Sequence, residues 1–278
     1  MPELRVPFLR TRKPRIGLAL SAGGAKGAAF LPFLRALEDM NIRPSIIAGA
    51  SVGAMIGGFY AAGVSPGKAH SIIESLGRAP GFQVYDPHLR MRSLLKGNKA
   101  HEFVKLHLPV ETFEETRIPL RVVAVDFWRR EQVIFDSGSL ADAIRASISI
   151  PGVFDPFIID DRVLIDGGIM NPVPWDIIQD ECDFVIALHL SEDDEPRTPT
   201  EIPQMLPMMI GTVRTMRDTI TAIKREYNPP HYYRRIGFSD VGTLDFGKWR
   251  EIVAQAETEI PDFQVELARA LAEQNIRV

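Results

Sequence analysis

Ser45-Ile46-Ile47-Ala48-Gly49-Ala50-Ser51-Val52-Gly53-Ala54-Met55-Ile56-Gly57-Gly58-Phe59-Tyr60-Ala61-Ala62 carries the reading of the fold. Residues 45–48 are a short apolar run with two β-branched side chains, the composition of a buried strand. Residues 52–62 hold neither proline nor charge and read as a buried helix. Between them stands Gly49-Ala50-Ser51-Val52-Gly53, a G-x-S-x-G pattern at a strand-to-helix junction. At such a junction the serine occupies a sharp elbow, and glycines clear the space its backbone needs. The bare pattern is common in chains rich in Gly and Ser, and a plain Gly-rich turn before a helix is the bland reading. The setting gives the serine its meaning.

Working upstream, residues 16–20 read as a buried strand and residues 28–40 as a helix, with Leu31, Leu34 and Leu37 on one side and Pro32 near its first turn. The chain thus opens β-loop-α-β-loop-α, which predicts an α/β protein. The first loop, Ser21-Ala22-Gly23-Gly24-Ala25-Lys26-Gly27, presents backbone N–H groups at a helix start. They suit either a phosphate or a developing oxyanion. A phosphate-binding P-loop requires Ser or Thr after the lysine, where Gly27 stands, and a dinucleotide fingerprint requires Gly at Ala22. Because the second strand ends at the serine elbow, the oxyanion reading is favoured.

Downstream, residues 120–125, 132–135, 162–165 and 184–190 read as strands and 140–146 as a short helix. Asp166-Gly167-Gly168 follows the third of these strands. An aspartate there can aim its carboxylate into a site while the glycines turn the backbone away, although Asp-Gly is also a common hairpin turn. Residues 191–207, rich in acidic residues, Pro and Thr, read as a surface loop dividing a core (15–190) from a C-terminal extension (191–278), all within a single domain preceded by a basic leader (1–14). In the extension, residues 204–227 have helical character, with Met205, Met208, Met209, Val213 and Met216 in an apolar stripe. Core packing is the expected role of this stripe, with lipid contact as the second. Residues 248–274 read as helical with a break at Pro261.

A formal net charge of −4 over 278 residues, with no long basic block, sets nucleic acid aside as a partner. The single cysteine, Cys182, has no disulfide partner and is expected to pack quietly in a reduced compartment. No apolar run suits a secretory signal, and the most apolar stretch, 52–64, is shorter than the roughly 20 residues that span a bilayer. A cytoplasmic location is expected, with any membrane contact peripheral. The histidines show no metal-ligand spacing such as H-E-x-x-H, so neither metal nor cofactor is expected. Only His189 and His231 lie beyond Asp166, as a Ser-Asp-His order requires. His189 reads as a packed strand residue and His231 as surface.

Taken together, the motifs resemble the patatin-like phospholipase family. The likeness runs from Ile16 to Pro174, through 18–27, 48–54, Ala146-Ser147-Ile148-Ser149-Ile150-Pro151-Gly152-Val153-Phe154 and Asp166-Gly167-Gly168-Ile169-Met170-Asn171-Pro172-Val173-Pro174. A weaker likeness touches 241–246. The resemblance implies a three-layer α/β/α sandwich with a mostly parallel central sheet, and a short bacterial-type Ser-Asp acyl hydrolase acting on lipid or acyl esters. It implies Ser51 as nucleophile, Asp166 as base, and an oxyanion loop of Gly23, Gly24, Ala25, Lys26 and Gly27. Gly49 and Gly53 would shape the elbow, and Gly167 and Gly168 the proton-acceptor turn. Ala22, where the family more often has glycine, fits if its backbone angles are ordinary. Two alternatives stay open: a Ser-Asp-His esterase, and a protein that keeps the fold for binding alone.

Overall fold

The computed structural model describes residues 12–78, 86, 93–192 and 202–277. Arg5 and Arg10 of the basic leader, His88 and most of the acidic loop lie outside them. The described chain runs β1 (Ile16–Leu20), α1 (Phe30–Asp39), β2 (Ile46–Ala50), α2 (Val52–Ala61), α3 (Pro66–Arg78), α4 (Asn98–His107), β3 (Leu120–Asp126), β4 (Glu131–Phe135), α5 (Leu140–Ser147), β5 (Phe157–Ile159), β6 (Arg162–Asp166), α6 (Asp176–Gln179), β7 (Phe184–Glu192), α7 (Met205–Tyr227), β8 (Tyr232–Phe238), α8 (Trp249–Thr258) and α9 (Ile260–Glu273). A 3₁₀ turn over Gly24–Ala29 leads into α1.

The strands form one sheet in the order β5-β6-β3-β2-β1-β7-β8, with β4 on the second edge of β3. From β3 through β2, β1 and β7 to β8 every pairing is parallel, while β4 and β6 run antiparallel to β3. The twofold alternation of a strand sorts side chains between the two faces. Leu18, Leu20, Ile47, Val122, Ile186 and Leu188 join a large core with α1, α2, α5, α8 and α9. Ala19, Ala48, Val185 and Ala187 face the other way, onto Val173, Trp175 and Ile178. These small residues let α6 and the C-terminal half of α7 lie close, where Lys224 of α7 stacks on Trp175. The result is helices on both faces of a mostly parallel sheet, which buries strands on both sides.

His231 is exposed, as its surface reading expects, and β8 follows it in the region read as extension. β8 is an edge strand whose Tyr232, Ile236 and Phe238 are buried. Arg234 shares that inward row and is neutralised by Glu259 and Glu266 at 2.9 Å each. The break expected at Pro261 falls just before it, and Pro261 sits in the first turn of α9, where its missing N–H costs no helical bond.

The methionine stripe departs from its expected core role. Met205, Met208 and Met216 are 72%, 50% and 57% exposed, and Thr221 is the fully buried residue of α7. Leu206 and Ile210, on the opposite side of the helix, pack against Leu95, Val153 and Phe154. The helix therefore leans on the body of the protein by one face and leaves Met205, Met208 and Met216 outside, while Met209 lies at the border between the two faces.

Candidate active site

β3 brings the site together. β4 occupies one of its edges over residues 122–126, while the other edge pairs with β2 up to Val123 and with β6 from Ala124 onward. Ala50 is opposite Val123, and Asp166 is opposite Ala124. The C-terminal ends of β2 and β6 thus meet over two neighbouring residues of one strand. Ser51 and Asp166 follow from that register, 115 residues apart in sequence, and the Ser51 hydroxyl donates to Asp166 Oδ2 at 2.5 Å. No histidine stands between them.

The elbow is strained. Ser51 has φ 54° and ψ −123°, a sparsely populated conformation that costs about 1–3 kcal/mol and persists only where its surroundings enforce it. The enforcement is visible. The Ser51 N–H donates to Ser147 Oγ at 2.8 Å, and that hydroxyl donates to Val123 O at 2.6 Å. Gly53 lies against the β1 terminus, where a Cβ would stand 2.2 Å from Leu20 O and 2.5 Å from Ser21 O. Gly49 is equally crowded by the first turn of α2, and Gly27 by Val52.

Both carboxylate oxygens of Asp166 are used. Oδ1 accepts from the Gly168 N–H at 2.7 Å, and the Gly167-Gly168 turn is buried. Burial pushes the Asp166 pKa above the usual carboxylate range, while the Ser51 hydroxyl, the Arg217 charge and the Gly168 N–H oppose the shift. Desolvation of this kind makes a carboxylate a stronger base than it is in water.

Within the glycine loop the members part company. Gly24 has φ +59°, approaches Thr243 O closely and lines a narrow cleft together with Ser51 and Asp166. Gly23 and Gly24 precede the first intrahelical bond, and neither N–H meets an acceptor among the described residues. The Ala25 N–H, in contrast, donates to Thr243 O at 2.9 Å. Lys26 turns away from the cleft to Glu192, 2.6 Å distant. Its burial, with the Arg217 and Arg214 charges, brings its pKa down to about 8. Ala22 is buried, shows no positive φ and gives its N–H to Pro172 O, so alanine fits there.

The remaining wall of the cleft comes from Ile150, Pro151 and Ile169 and from Met209, Ile210, Val213, Arg214 and Arg217 of α7. Ser147 and Arg217 were not singled out from sequence. Ser147 lies in the 146–154 motif, which marks no role for it, and Arg217 is simply the next inward turn after Arg214. His189 is buried, and its Nδ1 meets the Tyr233 hydroxyl at 2.5 Å. Burial and the nearby Arg217, Arg235 and Arg225 charges hold its pKa down to about 3. His231 Nδ1 accepts from the Val185 N–H near the start of β7, whereas Ser51 lies at the C-terminal ends of the parallel strands. Cys182 packs against Gly17, and burial pushes its thiol up to about 11. Among the described residues no cluster of His, Cys, Asp and Glu is arranged to hold a metal ion.

An uncharacterised NTE family protein of Mycobacterium tuberculosis is 36% identical over 196 residues, covering 68% of this chain and 54% of its own length. Lysophospholipase NTE1 of Kluyveromyces lactis is 29% identical over 281 residues, covering 85% of this chain and 18% of the yeast protein. The chain thus spans about half the length of its mycobacterial relatives. The crystal structure of VipD from Legionella pneumophila superimposes with a TM-score of 0.52 at 13% identity, over 92% of this chain and 67% of VipD, and shares the fold. The profile of the patatin-like phospholipases matches residues 18–178, more than half of the sequence, and the chain belongs to that family.

Proposed function

We propose that the protein hydrolyses carboxylic esters of lipids through a Ser51–Asp166 dyad and an acyl-enzyme. The observation that carries this reading is the 2.5 Å contact between the Ser51 hydroxyl and Asp166 Oδ2 on a strained elbow inside a cleft. Asp166 takes the Ser51 proton as Oγ attacks the ester carbonyl carbon, and the Gly23 and Gly24 N–H groups receive the charge that develops on oxygen. The C–O bond then breaks, and the leaving alcohol carries off the proton held by Asp166. A water molecule gives its proton to the same carboxylate and attacks the acyl carbon. Release of the fatty acid returns the proton to Ser51.

The cleft volume of about 50 Å³ holds only a few water molecules. Entry of an acyl chain therefore requires α7 to shift outward. The exposed methionines of that helix give it an apolar outer surface directly beside the site, and they are the proposed point of peripheral contact with a lipid surface. No helix among the described residues is long and apolar enough to cross a membrane.

Fluorophosphonate labelling and fatty-acid release, measured on the intact protein and on Ser51→Ala, Asp166→Ala and His189→Ala, test the dyad. Loss of both signals in the first two variants and their survival in His189→Ala is the expected result. An intact protein that neither labels nor releases acid removes the hydrolase reading.

A further inference from the structure

Two cations line the catalytic cleft, and they differ in how they are held. Arg214 pairs with Glu192. The Arg217 side chain makes no hydrogen bond or ion pair with any described residue, and its Nε is shielded from water without an acceptor. It lies beside the base, since a methyl group built on Gly168 would be 3.6 Å from Arg217 Nε and 2.9 Å from Asp166 Oδ1. A guanidinium N–H shielded without an acceptor is costly to fold around, because nothing replaces the hydrogen bond to water it has lost. Ile150, Ile169, Met209, Ile210 and Val213 make the rest of the wall apolar, so no other uncommitted charge competes for a ligand. Lys26, the basic residue of the glycine loop, is committed to Glu192.

We infer that Arg217 is an anion-binding subsite of the cleft, which selects acyl esters carrying a phosphate near the scissile bond over neutral esters of the same acyl chain. The inference rests on the hydrolase reading for its kinetic consequence but not for the binding itself. A planar guanidinium whose N–H groups meet no acceptor among the described residues matches a phosphodiester by paired, charge-assisted hydrogen bonds. The carboxylate of a released fatty acid offers related chemistry, and the experiment separates the two.

With short-chain monomeric lipids, kcat/KM is compared for a 1-acylglycerophosphocholine and the matching 1-acylglycerol on intact protein, Arg217→Gln and Arg217→Lys. In parallel, binding to Ser51→Ala is measured for the 1-O-alkyl ether analogues of both lipids and for the free fatty acid. The phosphate preference should fall roughly ten- to a hundredfold in Arg217→Gln, chiefly through KM, and return in part with lysine. Ser51→Ala should bind the phosphate-bearing ether more tightly than either other ligand. Equal losses on both esters would overturn the inference, by making Arg217 a support for Asp166 or the oxyanion. Equal affinity for the two ethers would overturn it even if Arg217→Gln failed to fold, and tighter binding of the fatty acid would replace phosphate with the product carboxylate. If the intact protein cleaves neither ester, the hydrolase reading falls while the ether comparison still decides the subsite.

Discussion

Ser147→Ala isolates the support of the proposed nucleophile, Ser51, from Ser51 itself. Ser147 is fully buried, and its hydroxyl ties the Ser51 N–H at 2.8 Å to Val123 O at 2.6 Å. Removing one oxygen changes the packing little, so the cost comes from the orphaned Ser51 N–H, about 1–3 kcal/mol. In a chain of this size that corresponds to a fall in Tm on the order of 5 °C. The elbow strain is of the same magnitude, so losing this tether lets φ of Ser51 relax and carries Oγ away from Asp166. Misplacement of a reacting atom by about 1 Å costs roughly a hundredfold in rate. The expected outcome is a kcat reduced between about tenfold and a hundredfold, with Ser51 still present and still labelled slowly by fluorophosphonate. Ser139→Ala is the control. It removes the cap of the same helix, α5, where Ser139 Oγ accepts from the Asp142 N–H at 3.3 Å, and should cost about 1 kcal/mol without lowering kcat. Parental turnover by Ser147→Ala, or an equal loss of turnover in Ser139→Ala, would show that the tether does not hold the elbow.

Since Asp166 must be ionised to accept a proton and burial raises its pKa, kcat/KM for a neutral ester should fall on the acid side with an inflection above the ordinary carboxylate range; Arg217→Gln should move that inflection to higher pH. A raised folded-state pKa also means that the folded protein holds this proton more tightly than the unfolded chain, so the Asp166 contribution to stability declines as pH rises between the two values. Asp166→Asn should therefore raise Tm relative to the parent above that window and lose its advantage below it, and a Tm difference that grows toward acid would contradict the assignment. Gly53→Ala places a methyl group against the backbone oxygens of Leu20 and Ser21 and should cost at least about 1–3 kcal/mol, whereas Gly211→Ala, in α7 with nothing within 4 Å of the new methyl, should stabilise by about 0.5–1 kcal/mol; thermal melts of both variants test the contrast. Met208→Glu with Met216→Glu should reduce fatty-acid release from phospholipid vesicles several-fold while sparing a monomeric short-chain ester, and equal rates on vesicles would dismiss the outer face of α7 as the lipid contact.

The strands beside the site were legible because each is a short apolar run ending in a distinctive turn. β1, β2, β3, β6 and β7 appear where that signal places them, to within two residues at either end. β8 escaped because Arg234 and Arg235 interrupt its alternation, and the glutamates that neutralise Arg234 come from the junction and body of α8 and α9, invisible to a local reading. The stripe of α7 announced a sided helix but not what its side would face. Periodicity fixes the angle between residues and says nothing of the partner. The motifs named Ser51 and Asp166 separately, yet their contact depends on the register of β2 and β6 along β3. Ser147 and Arg217 lay deeper still, since a serine in a helix and an arginine on an amphipathic helix carry no distinguishing mark in one sequence.

The sharing of β3 has a mechanical consequence. Val123 and Ala124 are adjacent, and one is opposite the residue before Ser51 while the other is opposite Asp166. A bend or slide of the sheet at that point carries Ser51 and Asp166 in the same direction, as two hooks travel with one rail. Collective motion is thereby converted into a common displacement that leaves their separation unchanged, and only local torsion at the elbow or at the Gly167-Gly168 turn alters it. In the proposed mechanism the sheet yields as α7 moves aside for a substrate, while the one distance on which proton transfer depends stays stiff.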